Sequence, residues 1–111
     1  MLKKNELPPC PVATTVNLIG NKWKPLIIRE LLKGAQRFKY LQFGIEGISP
    51  KVLTENLRQM EEDGLVERKI YPEVPLRVEY SLTELGEKMK PIIDSLASFG
   101  DKYKQYIKNK Q

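Results

Sequence analysis

A short stretch of the chain, residues 49–59, carries polar side chains at intervals of three and four residues. On a helix, which turns 100° per residue, five of them share one arc: Lys51, Thr54, Glu55, Arg58 and Gln59. Lysine and arginine neutralise phosphates or donate hydrogen bonds to guanine, and threonine bonds a base or touches a thymine methyl group. These residue types at this spacing predict a helix face that contacts double-stranded DNA.

The element that must position this arc is a helix from Pro50 to about Glu62. Ser49 is a preferred N-cap residue, Pro50 suits the first helical position, and Gly64 suits the stop. Ser49 can also reach a phosphate from the helix N-terminus. The opposite arc should pack inward: Val52, Leu53, Asn56, Leu57 and Met60. An ordinary solvent-exposed helix would show the same amphipathic pattern, so the pattern alone leaves both interpretations open.

Charge is unevenly distributed along the chain. The net charge of +5 favours an anionic partner, yet residues 49–82 hold five basic and seven acidic residues. Glu55 can accept from a cytosine amino group or pair with Lys51 and Arg58, and an acidic run lies at the C-terminal end of the helix, away from the groove. Positive charge for the DNA backbone is therefore expected elsewhere, from Lys22, Lys24, Arg37, Lys39 and Arg77.

Three helical segments are predicted ahead of this helix. Pro11 suits the start of the first, and apolar residues at i, i+4 and i+7 continue it to residue 20. The second, residues 23–33, is apolar over an arc too wide for a surface helix and should be largely buried. The third is short and places Phe38, Leu41 and Ile45 at helical spacing.

After Leu65 the pattern changes from helical to alternating, which predicts two strands joined by a proline-bearing turn. Three helices followed by a two-stranded hairpin, with a polar-faced helix just before it, is the order of a winged helix-turn-helix. The predicted fold class is α+β, mainly α, in a single domain of residues 1–111. A winged helix-turn-helix core with a two-stranded β wing covers residues 10–82, and C-terminal dimerisation helices cover residues 83–111.

The C-terminal region carries a long apolar stripe, and Thr83 can cap its first helix. Its spacing of four and three residues is unbroken: Leu85, Met89, Ile92, Leu96, Phe99, Tyr103 and Tyr106. Such a stripe forms either the seam of a homodimer or the core of one chain, and its length favours the dimer. Pro91 and Gly100 should each kink or break the region, which argues against one straight coiled coil.

The single cysteine, Cys10, lies between two prolines at the start of the first predicted helix. Unsatisfied N–H groups and the helix dipole would favour its thiolate there, and Lys3 and Lys4 could add to this effect. Cys10 is therefore a candidate sensor of oxidants or electrophiles, acting through an intermolecular disulfide or a small-thiol adduct. The alternative is an inert cysteine that packs beside the helix.

The composition narrows the class of protein. With no histidine and one cysteine, the sequence predicts no metal site, no cofactor and no histidine-based catalytic triad. Glu61 and Glu62 diverge by 100° on the helix, so paired acid–base chemistry is not expected, and the chain is predicted not to be an enzyme. No apolar run is long enough for a signal peptide or a membrane span, so a cytoplasmic protein without membrane contact is expected.

Several motifs together resemble the HxlR-type regulators, a branch of the MarR-like winged-helix proteins: the N-terminal Cys, GNKW, RF, ISPKVLT, EEDGL, PEVP and YSLTELG. The resemblance runs from about Cys10 to Gly100. It implies a homodimeric DNA-binding transcriptional regulator, often a repressor, that binds a pseudo-palindromic operator. In some members of the family the N-terminal cysteine senses electrophiles or oxidants. A small-molecule effector, the operator sequence and the target genes stay open.

Carried onto this chain, the resemblance places the wing at residues 72–77 and the sensor at Cys10. It places the recognition-helix residues at Ser49, Pro50, Lys51, Thr54 and Arg58. The chain departs from the family pattern at Glu55 and Asn56, where basic or amide residues are frequent, and at Leu76, where many relatives have a proline or small residue. A second hypothesis is a winged-helix protein-interaction module that uses the same surface without specific DNA binding.

Overall fold

The computed structural model describes residues 6–110, so Lys3 and Lys4 lie outside the described residues. It confirms the predicted winged helix-turn-helix, mainly α-helical with one two-stranded antiparallel sheet. The elements, in chain order, are α1 Pro11–Ile19, α2 Lys24–Leu31, α3 Phe38–Gly44, α4 Pro50–Glu62, β1 Val66–Tyr71, β2 Arg77–Leu82, α5 Glu84–Glu87 and α6 Lys90–Lys110. No helix within the described range is long and apolar enough to cross a lipid bilayer.

The core forms around α2, whose wide apolar arc is buried as predicted. Ile27 and Ile28 are inaccessible to solvent and pack with residues of α3, α4 and the wing. The helix is shorter than expected at both ends. It begins at Lys24 because the Asn21 side-chain oxygen accepts the backbone N–H groups of Trp23 and Lys24, at 2.9 and 2.8 Å.

Helix α4 begins at Pro50 and ends at Glu62, as predicted. The Ser49 hydroxyl accepts the Val52 N–H at 3.2 Å, which satisfies one of the free donors at the helix start. Gly64 follows the helix with φ +82°, a conformation that disfavours any residue with a Cβ. The signals that predicted this helix therefore act as caps in the folded chain.

Strands β1 and β2 pair antiparallel, with Val66 opposite Leu82 and Tyr71 opposite Arg77. A third segment, which the sequence did not predict, extends this sheet at Gln36. Its N–H donates to the Tyr80 carbonyl at 2.9 Å, and the Tyr80 N–H donates back at 2.8 Å. This bridge fixes the hairpin, called the wing below, against the loop between α2 and α3.

The C-terminal helices depart from the prediction in one respect. Thr83 caps α5 as expected, since its hydroxyl accepts the Gly86 N–H at 3.0 Å. The helical region breaks just before Pro91, which lies in the first turn of α6. The expected break at Gly100 is wrong, because α6 continues through it; an interior glycine costs only about 1 kcal/mol relative to alanine, which a 21-residue helix can absorb.

Helix α6 extends beyond the body of the domain. Its first turns pack on α2 and bury Ile93, whereas residues 101–110 are all exposed. The radius of gyration is 15.9 Å, compared with about 13 Å for a compact domain of this length. The projecting half of α6 accounts for this excess.

Candidate nucleic-acid interface

The polar arc of α4 faces solvent. Lys51, Glu55, Arg58 and Gln59 are exposed, and Thr54 is half-buried between them and the core. Ser49 and Pro50, at the N-terminus of the helix, are exposed as well. The sequence therefore predicted correctly which arc of α4 is accessible, and this arc holds both cations and hydrogen-bonding groups.

Asn56, in contrast, lies on the buried arc and is 6% exposed. Its amide nitrogen donates to the Val52 carbonyl at 2.8 Å, and its amide oxygen accepts from the Asn21 side chain at 2.9 Å. Asn21 also caps α2, so the Asn56–Asn21 pair joins α4 to the start of α2. Asn56 thus serves the packing of α4 against the start of α2, and its side chain is not available to contact a base.

Helix α3 precedes α4 through a tight turn, so the two form the helix-turn-helix unit. Gly47 takes φ +83° in this turn, while Ile45 and Ile48 on either side of it are buried. Arg37, the N-cap residue of α3, and Lys39 in its first turn are exposed, as the proposed backbone contacts require.

One of the lysines expected to face the DNA backbone is less available than the sequence indicated. Lys24 is only 7% exposed at the start of α2. The expectation that Lys24 contacts the DNA backbone is therefore corrected, because a largely buried side chain adds little positive charge to the surface. The Lys22 ammonium lies 4.6 Å from the centre of the Trp23 ring, a cation–π contact.

The acidic end of α4 is partly neutralised by the wing. Arg68 of β1 pairs with Glu61 at 3.3 Å, which ties the strand to the C-terminal turn of α4. Burial raises the pKa of the neighbouring Tyr80. Arg77, the predicted wing contact to DNA, forms ion pairs within the protein, with Glu73 at 2.9 Å and with Glu79 at 2.7 Å. Both arginines of the wing are therefore paired with carboxylates within the protein.

Cys10 is exposed and forms the N-cap position of α1. Its carbonyl accepts the Thr14 N–H at 3.1 Å, the first hydrogen bond of the helix. The thiol thus lies where the sequence placed it, at a helix start with access to solvent. Across the described stretch, no group of three or more acidic or cysteine side chains could hold a metal ion.

An apolar surface links α1 with α6. Val12 and Val16 are 70% and 54% exposed on α1, and they line a hollow of about 550 Å³ with Ile92 and Leu96 of α6. The surface continues along α6, where four large side chains are at least half exposed: Leu96, Phe99, Tyr103 and Tyr106.

The predicted dimerisation stripe is therefore not uniform. Leu85 is 51% exposed and Ile92 is half-buried at the edge of the core. The prediction that Met89 belongs to the dimerisation stripe is corrected. Its side chain is 6% exposed and belongs to the core of its own chain, because the start of α6 packs onto the domain.

The sequence pattern of the HxlR-like helix-turn-helix family matches residues 18–108. YdeP, an HTH-type transcriptional regulator of Bacillus subtilis, is 42% identical over 98 residues, which cover 88% of this chain and 77% of YdeP. The redox regulator HypR in its reduced form superposes with a TM-score of 0.84 and 35% identity, over 90% of this chain and 99% of HypR. The reduced form of the transcriptional regulator YodB of Bacillus subtilis superposes with a TM-score of 0.75 and 35% identity, over 86% of this chain and 95% of YodB. The chain therefore belongs to the HxlR family of helix-turn-helix transcriptional regulators.

Proposed function

We propose that the protein is a homodimeric repressor that binds a pseudo-palindromic DNA operator in the cytoplasm, where the chromosome lies. The observation that carries this proposal is the division of α4 into a fully packed arc and an accessible arc with Lys51, Thr54 and Arg58. A helix held this firmly can enter the major groove without reorganising. Its cations suit phosphate or guanine, and its hydroxyl suits a base edge.

The apolar surface of α1 and α6 supports association of two copies. Side chains as large as Phe99, which is 67% exposed, are costly to leave in water, and a second copy would cover them. A twofold arrangement would place two α4 helices in successive major grooves, about 34–36 Å apart. An occupied operator that overlaps a promoter would then exclude the transcription machinery, which accounts for repression.

Base reading by α4 is tested with Thr54→Ala and Arg58→Ala. Each substitution removes one polar group from the accessible arc, so each should weaken binding to a selected operator by about 10- to 100-fold while the fold is kept. The operator is first isolated by binding selection from genomic DNA, and affinity is then measured by fluorescence anisotropy over a range of salt concentrations.

Lys104→Ala, which removes an exposed cation from α6 instead, serves as the matched control and should bind the operator nearly as well as the wild type. Unaltered affinity in both α4 variants would contradict the proposal. Failure of the wild type to retard any DNA, together with a stable complex with another protein, would favour the interaction-module hypothesis.

We further propose that Cys10 makes operator binding sensitive to oxidants. Its support is the exposed thiol at the start of α1, beside the apolar surface of that helix, and the likeness to the redox regulator HypR. In the proposed step, the Cys10 thiols of two copies form one disulfide, and an added thiol oxidant accepts two electrons and two protons.

An oxidant should therefore change the operator affinity of the wild type and produce a covalent dimer on a non-reducing gel. Cys10→Ser should show neither effect, and a reductant should restore the wild type. An identical response of wild type and Cys10→Ser would rule out this role of Cys10.

A further inference from the structure

Arg77 lies at the centre of a cross-strand cluster on one face of the wing. Tyr71 stands directly opposite it in the sheet register, and Glu79 follows two residues later on the same face of β2. The guanidinium carbon lies 3.6 Å from the centre of the Tyr71 ring. Glu73, in the turn between the strands, completes the cluster from the wing tip.

The donors of Arg77 are directed at carboxylates within the wing. Its Nη2 donates to Glu73 at 2.9 Å and its Nε donates to the same carboxylate at 3.2 Å, a bidentate arrangement. Its Nη1 donates to Glu79 at 2.7 Å. The hydrogen bond from Arg77 is the main reason that the pKa of Glu73 is lowered, so this carboxylate stays charged under ordinary conditions.

This geometry makes Arg77 a poor partner for a DNA phosphate. Both carboxylates already accept hydrogen bonds from the guanidinium, and the Arg77 side chain is only 24% exposed. A phosphate would have to displace Glu73 or Glu79 and the stacking on Tyr71. The hydrogen bonds instead hold both ends of the turn, whose tip exposes Val74 completely and Leu76 to 63%.

We propose that Arg77 is a positioning residue: it holds the turn of residues 72–76 in the shape in which the wing meets DNA, and does not itself neutralise a phosphate. This inference rests on the proposed DNA binding and deepens it. The apolar tip then contacts the sugars of the flanking minor groove. Arg37, the N-cap residue of α3, is exposed and is close enough to Glu73 to contribute to the lowered pKa of that carboxyl group.

Two substitutions distinguish positioning from a phosphate contact. Arg77→Lys keeps the charge but loses the planar fork and the stacking, whereas Arg77→Ala loses all three. Under the proposal both variants bind the operator about tenfold more weakly, and both keep the wild-type slope of log affinity against log salt concentration. Hydroxyl-radical footprints should lose the protection that flanks the major-groove contacts while the central protection stays.

A direct phosphate contact predicts the reverse pattern. Arg77→Lys would then bind like the wild type, and the slope of Arg77→Ala would fall in magnitude by about 0.9, the contribution of one neutralised phosphate. Either result would overturn the proposal, and so would wild-type affinity in both variants. Arg37→Ala provides the matched comparison, since removal of an exposed arginine at the same end of the domain should reduce the slope.

Hydrogen exchange in the protein alone tests the positioning role of Arg77 independently of DNA binding. In the protein without DNA, loss of the Arg77 fork should speed hydrogen exchange in residues 71–77, where the Glu73 N–H donates to the Tyr71 carbonyl at 2.8 Å. Exchange in the core helices should not change. Unaltered exchange of the wing in Arg77→Lys would reject the positioning role even if no operator were available.

Discussion

Replacing Leu96 by Asp should convert the proposed dimer into a 12.9 kDa monomer and lower its affinity for a two-half-site operator by about 10²–10⁴-fold. Leu96 is 50% exposed and lies between the hollow beside α1 and the exposed aromatic residues of α6. In an isolated chain, a carboxylate at this exposed position would lower the free energy of unfolding only slightly. In the proposed interface it would be buried without a partner, which costs several kcal/mol.

The measurement is molar mass by sedimentation equilibrium, followed by binding to the full operator and to a single half-site. Ser98→Asp is the matched control, because it adds the same charge two residues away, about 200° around the same helix. We expect Ser98→Asp to remain dimeric. A dimeric Leu96→Asp, or a monomer that binds the full operator like the wild type, would contradict the proposed interface.

The structure explains how a net acidic segment can belong to a DNA-binding surface. Glu61, at the C-terminal end of α4, pairs with Arg68, and the two carboxylates beside Arg77 are satisfied within the wing. Exposed cations remain on the accessible arc, at Lys51 and Arg58, and at the start of α3. In the proposed complex with DNA, base reading and charge attraction would be divided between α4 and the residues that precede it, while the wing would contribute shape.

Local signals in the sequence were sufficient to predict the recognition helix. Ser49, Pro50 and Gly64 each act through the backbone of their own turn, so their effects do not depend on distant parts of the chain. The same is true of Thr83 at the start of α5. Elements that are specified by caps and by strong periodicity could be located without knowledge of the tertiary structure.

Features that depend on contacts between distant segments could not be predicted in this way. A single residue, Gln36, joins the sheet with no alternating pattern around it. The Asn56–Asn21 hydrogen bond spans 35 residues, and the burial of Met89 depends on how α6 packs against the domain. The pairing of Arg77 could have been suspected from Glu79 at position i+2, on the same face of a strand, and from Glu73 at position i−4, in the turn just before that strand.

One such contact joins the DNA-binding part of the domain to the helices that carry the proposed interface. Thr83, which caps α5, also donates its hydroxyl hydrogen bond to the Gly64 carbonyl at 2.6 Å, and its N–H donates to the Leu65 carbonyl at 3.0 Å. Gly86 lies against the same backbone. A Cβ added there would overlap the Leu65 carbonyl oxygen and lie 3.2 Å from the Leu82 side chain. This junction sets the position of α5 relative to the end of α4.

Gly86→Ala should therefore destabilise the domain by about 3 kcal/mol, the upper part of the usual range for overpacking, because two backbone segments would have to separate. Gly100→Ala is the matched control: a Cβ there meets no atom of the described chain within 4 Å, and alanine is the better helix former, so the free energy of unfolding should rise by about 1 kcal/mol. Both are measured by urea unfolding in the Leu96→Asp background, since Gly100 lies beside Phe99 and association would add to the stability of the wild type. Equal stability of the two glycine variants would show that α5 can move away from Leu65 at little cost, and that the junction does not fix the C-terminal helices relative to α4.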